Sequence, residues 1–123
     1  MALLSDGSYV AGSWRLTVRT EPVSDVAIAA DANVAYVDAD KIVGELTWRP
    51  WHDGDRFVPF GMDGSVLVSD LLTNAKVPFS TRRDIRVVAD DEGILWLCGI
   101  RPAERTRITR STVNVRTFTT TNH

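Results

Sequence analysis

The chain of 123 residues contains one cysteine, Cys98, and two histidines, His52 and His123. One thiol excludes a disulfide framework and an all-cysteine zinc site, and two histidines exclude a histidine-rich metal centre, so no metal site is expected. Lysine is almost missing, with Lys41 and Lys76 beside twelve arginines. The 14 cations fall short of the 16 carboxylates, giving a net charge of −2, which excludes a histone-like or ribosomal composition. No apolar run approaches the roughly 18 to 20 residues that cross a bilayer, and stretches such as Ile94–Cys98 have the length of buried strands. The first six residues carry no basic segment followed by an apolar core, so no secretory leader is expected there. With a lone thiol, this points to the cytoplasm and to no membrane partner. None of the eight glycines precedes a Lys-Ser or Lys-Thr pair, so a P-loop is absent. The motifs Gly-x-Gly-x-x-Gly, Ser-Gly-Gly-x-Asp-Ser and Gly-x-Ser-x-Gly do not occur either.

What is present fits one ordinary domain over residues 1–123, with 44% apolar and 24% charged residues. Charge is uneven. Residues 1–45 hold three cations against seven anions, while residues 99–123 hold five against one. Arginine forks suit phosphate and carboxylate. Arginine is also simply abundant in chains from GC-rich genomes, so its excess alone decides nothing.

Alternation is the main periodicity. In Ser13–Arg19, Trp14, Leu16 and Val18 fall on one face and Arg15, Thr17 and Arg19 on the other, which reads as a half-buried strand. Val34–Asp38 and Glu45–Arg49 are shorter candidates. Ile85–Ala89 and Gly93–Cys98 flank an acidic turn and read as a hairpin. Thr112–Phe118 alternates again, placing Val113, Val115 and Thr117 on one face. Helix is scarce. In Ser65–Asn74, Leu67, Leu71, Leu72 and Val68 predict one apolar helical face, Ser65 or Ser69 is placed to cap it, and Pro78 lies beyond its end. A second short helix is expected over Ser80–Asp84, with Ser80 as N-cap. Residues 19–33 read as a loop and residues 119–123 as a frayed tail. The fold class expected is mainly β with one or two short helices (α+β).

Candidate chemistry outside this frame is thin. Asp38 and Asp40, and Asp53 and Asp55, are spaced to place two carboxylates on one side of a strand, where they would hold a cation or share a proton. Both pairs equally suit turns and caps. His52 beside Asp53 is a general-base pattern with no nucleophile at a matching spacing, and a loop histidine is the simpler reading. Cys98 ends an apolar strand and reads as core.

The densest signal is Trp48 to Gly64, where four aromatics, two prolines, three glycines and two arginines share seventeen residues. Prolines and glycines forbid a regular helix here. The stretch reads as a strand, an Asp-Gly turn, a second short strand and a Gly-x-x-Gly loop leading into the helix. Arginines beside aromatic faces suit phosphate and base contacts. The same composition also suits a core whose arginines pair with Asp53 and Asp55.

Five runs in order carry a family resemblance. They are Asp38–Ile42, then Leu46–Trp51, then Gly54-Asp55-Arg56-Phe57-Val58-Pro59-Phe60-Gly61-Met62, then Val68–Thr73, then Ile94–Arg101. Together, over residues 34 to about 109, they resemble the C-terminal domain of bacterial tRNA(Ile)-lysidine synthetases. Ser65-Val66 stands where family members often carry lysine, and the segment after Gly99 is a looser match that keeps Arg101 and Arg105. The resemblance implies the unusual β-sandwich shared with the phenylalanyl-tRNA synthetase β chain. It implies an accessory tRNA-binding domain that grips the acceptor stem of tRNA(Ile). The ligase chemistry, with ATP and Mg, would lie in an N-terminal catalytic domain, because the Ser-Gly-Gly motif is missing from this chain. No catalytic residue and no cofactor are therefore expected here. Arg49, Arg56, Lys76, Arg82, Arg83, Arg101 and Arg105 are the expected RNA contacts. Two rival readings stay open. One is an interdomain packing or homodimerisation module with Trp51, Phe57 and Phe60 on a patch; the other is a stand-alone enzyme using Asp53 and Asp55.

Overall fold

The structure, a computed structural model, describes residues 1–3 and 5–122. Its strands are β1 (Gly7–Ala11), β2 (Trp14–Pro22), β3 (Val34–Asp38), β4 (Thr47–Pro50), β5 (Arg56–Phe57), β6 (Val66–Leu67), β7 (Arg86–Asp90), β8 (Gly93–Leu97), β9 (Arg101–Pro102) and β10 (Asn114–Asn122). The helices are α1 (Val68–Asn74) and α2 (Phe79–Arg82). One antiparallel sheet has the order β1-β2-β10-β3, the other β4-β7-β8-β9, and β5 pairs with β6 in a separate ribbon.

The two sheets face each other across a core that includes Leu16, Val18, Val37 and Phe118 from the first and Trp48, Val88, Leu95 and Trp96 from the second. A second core lies on the other face of β4-β7-β8-β9. There Val87, Ala89, Ile94 and Leu97 meet Phe57, Val68, Leu71 and Leu72. Sheet β4-β7-β8-β9 is thus covered on both sides, which is why residues 86–98 read as nearly continuous apolar runs. A bulge supports this. Val88 pairs with Trp96 but Ala89 with Ile94, so Leu95 is an extra residue, and Leu95 and Trp96 both reach the inter-sheet core.

The expected strands and hairpin are present, and several boundaries move. Residues 19–22 continue β2 because Arg19–Pro22 pair with Thr117–Asn114. Residues 119–122 do not fray; they pair with Thr17–Trp14, and β10 is a central strand rich in β-branched threonine. His123 lies outside the described residues. In β10 Val115 is fully buried, as expected, but the residue that enters the inter-sheet core is Phe118, opposite Val18 and Ala35, and Val113 precedes the strand and is exposed. The helix is shorter than 65–74, because Val66–Leu67 pair with Phe57 and Arg56. No serine caps it; the Val68 N–H donates to the Asp55 carbonyl instead, at 2.9 Å. Seven residues are too few for a self-stable helix. Burial of Val68, Leu71 and Leu72 holds it, at about 1.5–3 kcal/mol per side chain. The second helix is Phe79–Arg82 and starts from Pro78, not Ser80, with no side-chain cap.

The β3–β4 connection is clamped onto the β7–β8 turn. Val43 N–H donates to Asp90 Oδ2 at 2.9 Å and Asp91 N–H donates to the Val43 carbonyl at 2.9 Å. Gly44 sits in this clamp at φ +69°, and an added Cβ would lie 1.9 Å from Asp91 Oδ2. Gly44→Ala is expected to lower stability by about 1–2 kcal/mol, from the left-handed backbone and the displaced carboxylate; urea unfolding measures it, and an unchanged midpoint would contradict the clamp.

Candidate nucleic-acid interface

The seven expected contact residues do not form one face. Arg49 lies in β4 and closes a bidentate pair on Asp55, at 2.9 and 3.1 Å. The His52 N–H adds a third bond to that carboxylate at 2.7 Å. Burial alone would raise the Asp55 carboxyl, but Arg49 and the His52 N–H hold it below its ordinary value. Arg105 closes a second fork on Asp90, at 3.1 and 2.6 Å, and also donates to the Gly93 carbonyl. Asp90 is buried and accepts from Val43 and Glu92 N–H as well. Its burial opposes ionisation, yet the Arg105 fork and these amides hold its carboxyl below the ordinary value. Arg49 and Arg105 are therefore structural ties between loops and sheet.

The other five divide between two ends of the β7–β8 hairpin. At the Asp90 end, Arg56 donates to Ser65 Oγ and the Ser65 carbonyl, and shares a cleft with Arg105. Arg101 is not at that end: in β9 it pairs with Leu97, which pairs with Val87, so it lies toward the Arg86 end, where it donates to the Phe60 carbonyl at 2.8 Å and props the 58–65 loop. At the Arg86 end stand Lys76, Arg82 and Arg83, on or beside the α1–α2 connection. The four-residue step from Arg86 to Asp90 separates the ends by about 13 Å.

The α1–α2 end is built for display. Trp51 is half-buried, and its Nε1–H donates to the Arg82 carbonyl at 2.7 Å while its backbone N–H reaches the Ile85 carbonyl. This indole pins residues 82–85 against β4. Arg82 Nε donates to the Val77 carbonyl at 2.9 Å, and its guanidinium lies 4.2 Å from the centroid of the Phe79 ring. Phe79 is 83% exposed, the highest value among the exposed large hydrophobic residues described. Lys76 and Arg83 are exposed and have no carboxylate partner among the described residues. Helix α1 ends in a Schellman motif: Lys76 N–H reaches the Thr73 carbonyl and Val77 N–H the Leu72 carbonyl. Lys76 takes the left-handed position of that motif at φ 58°, the one non-glycine residue described with positive φ. Glycine is the unstrained choice there.

The aromatic patch expected from Trp51, Phe57 and Phe60 does not form. Phe57 is core at 7% exposure, and of the three Phe60 alone is exposed. Phe79 was not singled out by the sequence because one aromatic after a proline carries no pattern. Arg86 was also missed; its guanidinium lies 5.0 Å from the Trp48 ring centroid. An arginine in an otherwise apolar strand was the signal. Asp38 works as a cap, accepting from Asp40 N–H and Thr112 Oγ1. Cys98 is core, and burial pushes its thiol up. Among the described residues no group of three or more His, Cys, Asp or Glu side chains is placed to hold a metal ion.

Comparison with known proteins decides the family. A model described as the TilS substrate C-terminal domain matches residues 46–117. The chain belongs to this family. A tRNA(Ile)-lysidine synthase of Bacteroides thetaiotaomicron is 40% identical over 91 residues, covering 74% of this chain and 21% of the relative. The enzyme of the same name from Clostridium acetobutylicum is 32% identical over 91 residues, covering 74% and 20%. The chain thus spans about a fifth of the length of the curated relatives it matches. A crystal structure of a TILS C-terminal domain superposes with a TM-score of 0.78 at 21% identity, covering 89% of this chain and 85% of that one. An N-terminal fragment of the phenylalanyl-tRNA synthetase β-subunit from Pyrococcus horikoshii superposes at 0.60 and 22% identity, covering 71% and 27%. These two likenesses show the fold, which is the one the resemblance implied. Among the described residues no helix is long and apolar enough to cross a membrane.

Asp55 and Asp90 make this TilS C-terminal domain acid-sensitive. Their folded-state pKa values lie below the unfolded ones, so the unfolded chain binds more protons and stability is lost as pH falls through and below about 4. Asp90→Ala is expected to cost about 1–3 kcal/mol at neutral pH and to flatten that acid dependence. Urea unfolding as a function of pH checks both; an unaltered acid slope in the variant would contradict the assignment.

Proposed function

We propose that the chain is the accessory tRNA-binding domain of a tRNA(Ile)-lysidine synthase and grips the acceptor stem through its α1–α2 end. The observation that carries this is a lysine held in a strained left-handed position beside Arg82, Arg83 and an exposed phenylalanine. Strain of this kind persists where the surrounding structure imposes it, and it clusters at binding sites. Cations on a rigid edge read an A-form helix by its shape and phosphates, not by its base sequence. Family membership and the name of the curated relatives support tRNA as the partner. The catalytic domain, with ATP and Mg2+, would be in the rest of the parent ligase, which converts the wobble cytidine of tRNA(Ile) to lysidine in the cytoplasm. The sequence has no glycine-rich cradle before a lysine, and Asp55 is already taken by Arg49.

A second reading, packing against the catalytic domain or a second copy, is favoured by a different feature. An apolar cleft of about 570 Å3 lies between the 28–36 segment and the 58–65 loop, with Ile28 and Phe60 exposed on its rim. Light scattering of the wild type and Phe60→Ala tests it. Self-association that the variant loses, with RNA binding unchanged, would favour packing.

RNA binding measured at several salt concentrations separates the cation groups. Each phosphate contact adds roughly 0.7–0.9 to the log–log salt slope. Lys76→Gly with Arg83→Ala should lower that slope by roughly 1.5, whereas Arg49→Ala should leave it unchanged and reduce stability. Lys76→Gly alone should raise stability by about 1 kcal/mol, because glycine relieves the left-handed backbone. A slope insensitive to Lys76 and Arg83 but reduced by Arg49→Ala would overturn the assignment.

A further inference from the structure

We infer that the open end of the sandwich, next to the α1–α2 cations, holds a single unpaired nucleobase. A cleft of about 180 Å3 lies there between the two sheets. Trp14 and Thr120 line it from the first sheet, and Trp48 and Arg86 from the second, with Asn33 and Asp84 also on its wall. The volume suits one small planar ring system and is well below the roughly 300 Å3 at which drug-sized sites begin.

The polar groups here are unfinished. Three buried side-chain polar atoms among the described residues lack a hydrogen-bond partner, and two of them, Trp48 Nε1 and Thr120 Oγ1, belong to residues lining this cleft. The Trp48 side chain has the Cys98 thiol as its neighbour, a weak acceptor at best. Buried groups of this kind are costly unless something completes them. A nucleobase edge supplies both donors and acceptors, which is what the hydroxyl, the Asn33 amide and the Asp84 carboxylate can answer.

The flat surfaces point the same way. Trp14 is half-buried, offering part of its indole, and Arg86 already stacks its guanidinium over Trp48. Indole and guanidinium planes are the surfaces on which unstacked bases settle. Arg83 lines an adjoining cleft with Trp14 and Arg86, so a backbone phosphate there would lie beside the base. The inference rests on the RNA-binding reading for its partner, while the cleft stands on its own geometry.

The test uses the whole 123-residue chain. Tryptophan fluorescence is followed during titration with each of the four nucleoside 5′-monophosphates. Binding is then measured for a blunt RNA hairpin and for the same hairpin with an unpaired 3′ extension. Thr120→Val is the main variant, because it keeps shape and removes only the unsatisfied hydroxyl, so folding is retained. Trp14→Ala is the second, removing a stacking surface at the rim. The expected result is at least a tenfold gain from the extension that both variants abolish, with blunt-hairpin affinity unchanged. Mononucleotide binding lost in Thr120→Val without any extension gain would support the cleft with a free nucleotide as ligand. No fluorescence response to any nucleotide together with no extension gain would overturn the inference. Failure of the blunt hairpin to bind would instead count against the α1–α2 contacts, and the mononucleotide arm would still decide the cleft.

Discussion

Sheet β4-β7-β8-β9 has no free face. One side packs against the other sheet, and the other is covered by α1 and the β5–β6 ribbon. Residues in the middle of its strands must be apolar, and most charged groups are displaced to strand ends and loops. The two cation groups, at the Arg86 end and the Asp90 end of the β7–β8 hairpin, follow from that. Three aspartates then fix the loops, Asp38 and Asp90 buried and Asp55 half-buried. Asp38, Asp55 and Asp90 each satisfy backbone N–H groups or hydroxyls while pairing with a nearby cation. At Asp55 and Asp90 the cost of holding a carboxylate away from water is offset by an arginine fork and backbone N–H bonds.

The sequence made the β character and the strand positions legible, because half-buried strands alternate and Trp14, Leu16 and Val18 do so plainly. It also carried the family, since the Gly54–Met62 loop, the helix and the Trp96 strand come in the right order. What it hid is tertiary. The frayed tail expected at 119–122 is a central strand, and only pairing with β2 reveals it. The serine caps gave way to a backbone bond from Val68 to Asp55, because the ribbon places that carbonyl over the helix start. Among the candidate contacts, an arginine bound to carboxylate and an arginine open to solvent look identical in a sequence. Arg49 and Arg83 differ only in what the fold brings near them.

The family model begins at residue 46, so it covers the doubly buried sheet and the helices but little of the first sheet. The likeness to the solved TILS C-terminal domain extends over 89% of the chain, first sheet included. That sheet serves as the wall that closes the inter-sheet core and contributes Trp14 and Thr120 to the open end. Display of cations and closure of the core are thus tasks of different halves of the sandwich. Within the second half, Trp51 holds the arginine-bearing turn against β4.

The central claim is that the edge carrying Lys76, Arg82, Arg83 and Phe79, and not the loop around Arg56 and Arg101, meets RNA. Amide hydrogen exchange in the presence and absence of a transfer RNA locates the contact directly. The account predicts slowed exchange across residues 75–86, with residues 58–65 and 101–107 unchanged. Protection confined to those two latter segments, with 75–86 exchanging as in the free protein, would contradict it.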